Sequence, residues 1–170
     1  TKQLNFDGDG SYEVINLMAT YGSPNTNAKH FNFLCHVDVV PPGNIEDWDT
    51  PPFEPIIKDG YLYGRGSEDM KGCTAASMVS VFKYLKENKD FNGTISFIIT
   101  GDEEADSVNG VDKVVNWIQE NNIRIDGSIA TESSSEKVIG DQIKVGRKGA
   151  VDIQIEIIGK QGHAAYPQLA

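Results

Sequence analysis

The chain has 170 residues and a formal net charge of -10, with 15 Lys plus Arg against 25 Asp plus Glu. This balance argues against nucleic acid and anionic membranes as partners, because both need a basic surface, and it favours cationic ligands. Apolar residues make up 39% of the chain and charged residues 24%, as is typical of globular proteins. No run approaches the roughly 20 apolar residues of a membrane span, and we expect a cytoplasmic protein.

Three apolar runs predict buried strands. The first extends from Phe31 to Val40 and ends at a proline pair; the second is TISFIIT, ending at Thr100; the third is GSIAT at 127–131. Two cysteines are too few for a disulfide framework. Cys35 lies in the first run, where we expect a small buried thiol.

Two helices are predicted from apolar residues that recur every three or four positions. The first, within 70–88, has the stripe Ala75, Met78, Val79, Phe82 and Leu85, and the second has Val111, Val114, Val115 and Ile118. The stretch EPIIKDGYLYG predicts a hairpin. Strands that alternate with helices in this way predict an α/β fold with a mainly parallel sheet and flanking helices.

The pattern changes near residue 147. Val151, Ile153, Ile155 and Ile157 alternate with polar residues, which predicts a half-exposed strand. We therefore predict one domain over 1–146 and the beginning of a smaller α+β domain over 147–170.

Polar residues accompany each predicted buried strand. His36 and Asp38 lie within the first, where alternate residues share a face. Acids follow the second and third strands, and another precedes the first helix. Ligands in such sheets collect beyond the carboxyl ends of the strands, where we expect these acids to meet: Asp69, Asp102, Glu103, Glu104 and Glu132.

Gathered carboxylates repel one another unless a cation compensates them. One imidazole among carboxylates suits Zn, Co or Mn better than Ca or Mg. Each residue also has a structural interpretation: His36 as a core histidine, the Glu103–Glu104 pair as a solvated loop, Asp69 as a helix cap. Spacing alone leaves both interpretations open.

A second cation site is suggested by NFDGDGSYEVIN. Asn5, Asp7, Asp9 and Gly10 occupy EF-hand positions, but the twelfth position is Asn16 where calcium needs a bidentate Glu. A tight turn between two strands is the favoured interpretation.

Several segments resemble the M20 metallopeptidase family in order and spacing. They are HVDVVPPG, Trp48, PPFEP, DGYLYGRGSEDMKG, GDEEA and GRKGAVDIQIEIIGKQGHAAYP. The resemblance covers essentially the whole chain. It implies the N-terminal portion of a metal-binding catalytic domain with a di-zinc aminopeptidase-like fold, followed by the start of a dimerisation and lid domain. It also implies a homodimer.

The resemblance implies two divalent metal ions, Zn²⁺ or alternatively Co²⁺. In this interpretation His36 and Glu132 are ligands of one ion, Glu104 is a ligand of the other, and Asp69 bridges both. The family often has a cis peptide after the bridging aspartate, here Asp69–Met70.

Four further residues receive roles from the resemblance. Asp38 orients the ligand histidine and Glu103 is the general base. His163 reaches a neighbouring subunit's active site and steadies the oxyanion, and Arg147 lies near the substrate carboxylates. Without the resemblance, His163 is a polar loop residue and Arg147 an exposed side chain after a strand.

The chain departs from the family's pattern in places. Val37 replaces a common Thr, and the family commonly has GEP where this chain has Thr131, Glu132 and Ser133. We expect a fragment, since the family's N-terminal helix region and its last metal-ligating histidine have no counterpart here.

The implied reaction acts on an anionic N-acyl amino acid. It is hydrolysis of the amide in N-succinyl-LL-2,6-diaminopimelate to succinate and LL-2,6-diaminopimelate, in lysine and diaminopimelate biosynthesis. Two alternatives stay open: another M20 deacylase, such as an acetylornithine deacetylase or an aminoacylase, and a truncated chain that binds metal without turnover.

Overall fold

The computed structural model describes residues 1–7, 12–22, 27–146, 148–149, 151 and 153–169. The chain divides into two compact units, Thr1–Ser133 and Ser134–Ala170. The domain boundary near residue 147 stays a prediction.

The first unit contains the sheets and both α-helices of the described residues. The strands are β1 (Lys2–Phe6), β2 (Val14–Gly22), β3 (His30–His36), β4 (Ile56–Lys58), β5 (Tyr61–Tyr63), β6 (Thr94–Thr100) and β7 (Gly127–Ala130), and the helices are α1 (Cys73–Glu87) and α2 (Val111–Glu120). The predicted strands at β6 and β7, the β4–β5 hairpin and both helices are therefore confirmed, but β7 is largely exposed and not buried as predicted.

The main sheet has the order β1-β2-β6-β3-β7. β3 pairs in parallel with β6 and β7, whereas β2 is antiparallel to both β1 and β6. The sheet is thus mixed, and the prediction of a mainly parallel sheet was wrong in this respect. That prediction considered only strands joined by helical crossovers, and it left out β1 and β2, which extend the sheet beyond β6.

β3 is shorter than predicted. It ends at His36 rather than Val40. The N–H of Val37 still donates to the carbonyl of Thr100 at 2.9 Å, but the chain then leaves the sheet. Asp38 therefore lies outside the strand, and strand periodicity does not account for its position beside His36.

The stretch with partial EF-hand spacing lies between paired strands. β1 and β2 pair antiparallel from Lys2–Met18 to Phe6–Val14, so the two predicted flanking strands are present. Asp9 and Gly10 lie outside the described residues.

A hydrophobic core forms where α2 packs on the sheet. Val114 and Ile118 of the helix contact a buried cluster with Leu4, Met18 and Ile98. Each is at most 8% exposed, so the predicted inward face of α2 is confirmed at these two positions.

The apolar stripe predicted for α1 is only partly buried. Phe82 is 72% exposed and Val79 is 53% exposed, whereas Thr74 is buried and Met78 and Val81 are half-buried. This helix carries apolar residues around much of its circumference, so their spacing did not determine which part would face the sheet.

The second unit has little regular structure. The Asp141 carboxylate accepts hydrogen bonds from the N–H groups of Glu136, Lys137 and Val138, and a short 3₁₀ turn spans Pro167–Leu169. Residue 151 and residues 153–158 form no strand and are exposed. The half-exposed strand predicted from the alternation of apolar and polar residues is therefore wrong. No pairing strand is described for them, and a strand needs one to satisfy its backbone.

None of the described helices has the length and apolar character needed to cross a bilayer.

Candidate metal centre

The structure brings five of the predicted residues together beyond the carboxyl ends of β3, β6 and β7. His36 is the last residue of β3 and is 2% exposed. Asp69 lies in the turn Ser67–Gly72 before α1, Glu103 and Glu104 follow β6, and Glu132 follows β7. The four acids therefore enter the site from three different connections at the same sheet edge, with Glu103 and Glu104 sharing one of them.

The acids surround one nitrogen of His36. Its Nε2 lies 2.9 Å from Asp69 Oδ1, 3.3 Å from Glu132 Oε1 and 3.9 Å from Glu103 Oε2. One ligand atom from each of His36, Asp69 and Glu104 lies within 4.8 Å of the other two. These residues can thus approach a single small ion or a closely spaced pair.

Asp38 determines which nitrogen of His36 carries a proton. Nδ1 lies 3.1 Å from the Asp38 backbone carbonyl and 3.5 Å from its Oδ1. A carbonyl oxygen only accepts hydrogen bonds, so Nδ1 must donate. In the neutral imidazole the Nε2 lone pair therefore points at three carboxylates, an arrangement that needs either a proton or a cation between them.

The Asp38 carboxylate also holds the loop after β6. Its Oδ2 accepts hydrogen bonds of 2.8 Å from the backbone N–H groups of both Glu103 and Glu104. This link joins the histidine to the two acids that follow β6. Sequence reasoning missed it, because backbone donors leave no mark in residue type.

A sharp turn presents Asp69. Gly66 has a φ of 82°, and a Cβ there would collide with Val39, so glycine is required on both grounds. The Lys71 N–H donates to the Gly66 carbonyl at 3.0 Å. The Asp69–Met70 peptide is cis, as the resemblance implied.

The electrostatics of the site reflect crowded negative charge. Burial acts to lower the pKa of His36, but the Asp38 carbonyl and the carboxylates of Glu132 and Glu103 outweigh it and raise that pKa. Burial, followed by repulsion from Asp69 and Glu103, raises the pKa of Glu104. Bringing these acids together thus has an electrostatic cost that a bound cation would offset.

Other atoms at the site agree with cation binding through nitrogen and oxygen. Asp38 Oδ1 is buried and has no hydrogen-bond partner among the described residues. Burial and the nearby charge of Glu132 raise the pKa of the Cys73 thiol, so this side chain is a neutral thiol in the metal-free site. The donor set of one imidazole with several carboxylates fits Zn²⁺, Co²⁺ or Mn²⁺.

Asp102 does not join this cluster, contrary to the prediction. It is 1% exposed, and its carboxylate accepts hydrogen bonds from the Tyr12 hydroxyl at 2.9 Å, the Asn109 N–H at 2.8 Å and the Ser107 N–H at 3.3 Å. Despite burial, the backbone donors and Tyr12 lower the pKa of Asp102. Asp102 therefore braces the loop that carries Glu103 and Glu104.

The structure does not test two of the predicted residues, His163 and Arg147. His163 belongs to the second unit, where it is exposed and its Nδ1 accepts a 3.1 Å hydrogen bond from the Ala165 N–H. Arg147 lies outside the described residues. Their roles stay predictions.

Comparison with known proteins gives consistent matches. The model of peptidase family M20/M25/M40 matches residues 33–168. The succinyl-diaminopimelate desuccinylase of Coxiella burnetii strain RSA 493 is 48% identical over 158 residues, which are 93% of this chain and 41% of that protein. The enzyme of the same name from Beijerinckia indica is 42% identical over 170 residues, which are 100% of this chain and 44% of that protein.

A solved structure is also similar. An M20 family metallo-carboxypeptidase from Sulfolobus solfataricus superimposes with a TM-score of 0.58 at 26% identity, over 78% of this chain and 28% of that chain. This chain spans less than half the length of the curated relatives it matches.

Proposed function

The chain belongs to peptidase family M20/M25/M40, and from this premise we propose that it forms the metal-binding part of an amide hydrolase. The proposed reaction is hydrolysis of N-succinyl-LL-2,6-diaminopimelate to succinate and LL-2,6-diaminopimelate. The support for this substrate is the 42% to 48% identity, over nearly the whole chain, to relatives named succinyl-diaminopimelate desuccinylase.

One observation gives the main support for metal-dependent chemistry. His36 Nε2, which carries no proton in the neutral imidazole, faces Asp69 at 2.9 Å and Glu132 at 3.3 Å, while Nδ1 donates to the Asp38 carbonyl. This is how a metal-binding histidine is oriented in proteins, with its second nitrogen donating to a carbonyl or carboxylate.

Four residues would hold two divalent cations. His36 and Glu132 would bind one, Glu104 the other, and Asp69 both. Zn²⁺ is the proposed metal and Co²⁺ the alternative. Divalent ions in such a site lower the pKa of water toward about 7 and polarise the scissile carbonyl.

Glu103 is the proposed proton carrier. Its side chain is 47% exposed and its Oε2 lies 3.9 Å from His36 Nε2, so it borders the cation site and remains open to water and substrate. Its carboxylate takes a proton from water as the oxygen attacks the amide carbon. When the carbon–nitrogen bond breaks, the same proton passes to the leaving amine. Asp38 holds Glu103 in place through the backbone N–H.

Further features of the whole protein are part of this proposal. His163 would stabilise the oxyanion from a neighbouring subunit of a homodimer, and Arg147 would attract the substrate carboxylates against the negative charge of the chain. The lid role of residues 147–170 and the cytoplasmic location stay predictions.

A substrate panel tests the proposed specificity. The whole protein, freed of metal and reloaded with Zn²⁺ or Co²⁺, is assayed for amine release from N-succinyl-LL-2,6-diaminopimelate, N-acetylornithine and an N-acetyl amino acid. We expect kcat/KM for the succinylated compound to exceed the others by at least about 100-fold, since a site built for a second carboxylate rejects analogues that lack it. Comparable or faster turnover of an acetylated amine would contradict the proposed substrate and favour another deacylase.

A further inference from the structure

A sulfur atom takes a backbone hydrogen bond at the centre of the site. β3 and β7 pair as far as Leu34 and Ala130, and the Thr131 N–H donates to the Leu34 carbonyl at 3.0 Å. Alternate residues of a strand direct their backbone groups to the same neighbour, so the His36 N–H also points toward the β7 side. It donates there to Met70 Sδ at 3.1 Å.

Met70 is fixed in this position. Its side chain is 1% exposed, and its carbonyl accepts a 3.1 Å hydrogen bond from the hydroxyl of Thr74, which is buried in the first turn of α1. The other edge of β3 continues normally, since the Val37 N–H bonds to Thr100. The thioether therefore replaces the next hydrogen bond between β3 and β7.

Two cation-facing acids are adjacent to this contact. Asp69 immediately precedes Met70, and its carboxylate reaches His36 Nε2 at 2.9 Å. On the other side, the chain leaves the ladder after β7 and brings Glu132 within 3.3 Å of the same nitrogen. The sulfur therefore bonds to β3 next to the point where the chain after β7 leaves the ladder.

We propose that Met70 is a positioning residue of the metal centre, whose sulfur fixes the spacing of His36 and Asp69 and leaves room for Glu132 beside them. A thioether is a weak acceptor on a flexible stem, so it satisfies the N–H without drawing the β7 connection into the ladder. This inference rests on the proposed function, and Met70 itself touches no reacting atom.

The test compares two buried methionines in the whole protein. Met70→Leu keeps an apolar side chain of similar volume and removes the acceptor, while Met18→Leu makes the same change in the core, where Met18 is 5% exposed. We expect Zn²⁺ affinity, measured by competition with a chelating dye, to fall about 10-fold to 100-fold in Met70→Leu, as when a group that orients a ligand is lost. It should stay unchanged in Met18→Leu, and equal affinities in both variants would overturn the proposal.

Hydrogen exchange of metal-free protein gives a readout that does not depend on metal. We expect the His36 amide of the wild type to be protected, like that of Val37, and Met70→Leu to accelerate exchange at His36 by at least about tenfold while Val37 keeps its protection. An unprotected His36 amide in the wild type would refute the role of Met70 even if the variant does not fold. A wild type that binds no Zn²⁺ but protects this amide would instead refute the proposed function.

Discussion

Tyr12→Phe tests how the loop carrying Glu103 and Glu104 is held. The hydroxyl of Tyr12 donates to Asp102 at 2.9 Å, and the same carboxylate accepts the Asn109 N–H at 2.8 Å. A hydrogen bond to a charged group contributes about 1.5 to 3 kcal/mol. Because Tyr12 is 49% exposed, water replaces part of this contribution, and we expect only a fraction of it to be lost.

The assay is hydrogen exchange of the Asn109 amide at pH 7. Loss of the Tyr12 hydrogen bond should lower the free energy of local opening and accelerate exchange by roughly threefold to tenfold. Tyr21→Phe is the matched control, since Tyr21 is a 61% exposed tyrosine of β2, and it should leave Asn109 unchanged. If Tyr12→Phe accelerates exchange no more than this control, the bracing role of Asp102 is refuted.

Two further predictions concern catalysis and pH. Glu103→Gln should keep its bound metal, because the proposed ligands are intact, and lose about 10²-fold to 10⁴-fold in kcat, as expected when a general base is removed; near-normal kcat would exclude this role. Hydrogen bonds from the His30 N–H, Lys29 and Arg124 lower the pKa of Asp126 from 3.8 to about 2. Its stabilising contribution is therefore full above about pH 4 and is lost as the pH falls through about 2. Thermal unfolding of Asp126→Asn should differ most from the wild type at pH 5 to 7 and converge with it near pH 2, and a difference that grows toward low pH would contradict this assignment.

Much of the sheet was predictable because its strands follow simple rules. β6 is rich in β-branched and aromatic residues, and parallel strands place their carboxyl ends together, which anticipated the meeting of His36 with Glu103 and Glu132. The antiparallel β1 and β2 were not included, because they are joined by no helical crossover. The face of α1 was misassigned, since apolar periodicity does not identify which surface of a helix finds a partner.

Within the site, residue types predicted which acids come together better than they predicted the contacts that those acids make. Asp38 was expected to face His36 through strand periodicity, yet β3 ends first, and the contact arises from the turn that follows. Asp102 looked like a ligand in sequence, but three donors from its own loop and from Tyr12 hold it elsewhere. The early end of β3 made the first difference and the donors around Asp102 made the second, and sequence patterns report neither.

The most direct test of the metal centre is the metal affinity of paired histidine variants. His36 and His30 lie at opposite ends of β3 and both are buried. The His30 ring bonds to the Arg124 carbonyl and the Ser96 hydroxyl and not to the acids of the metal centre. The assay is equilibrium dialysis with Zn²⁺, followed by elemental analysis. We expect the Zn²⁺ affinity of His36→Gln to fall at least about 100-fold, because losing a metal ligand costs more affinity than losing a residue that only orients a ligand. The Zn²⁺ affinity of His30→Gln should be unchanged. Unchanged affinity and stoichiometry in His36→Gln would contradict a metal centre at these residues.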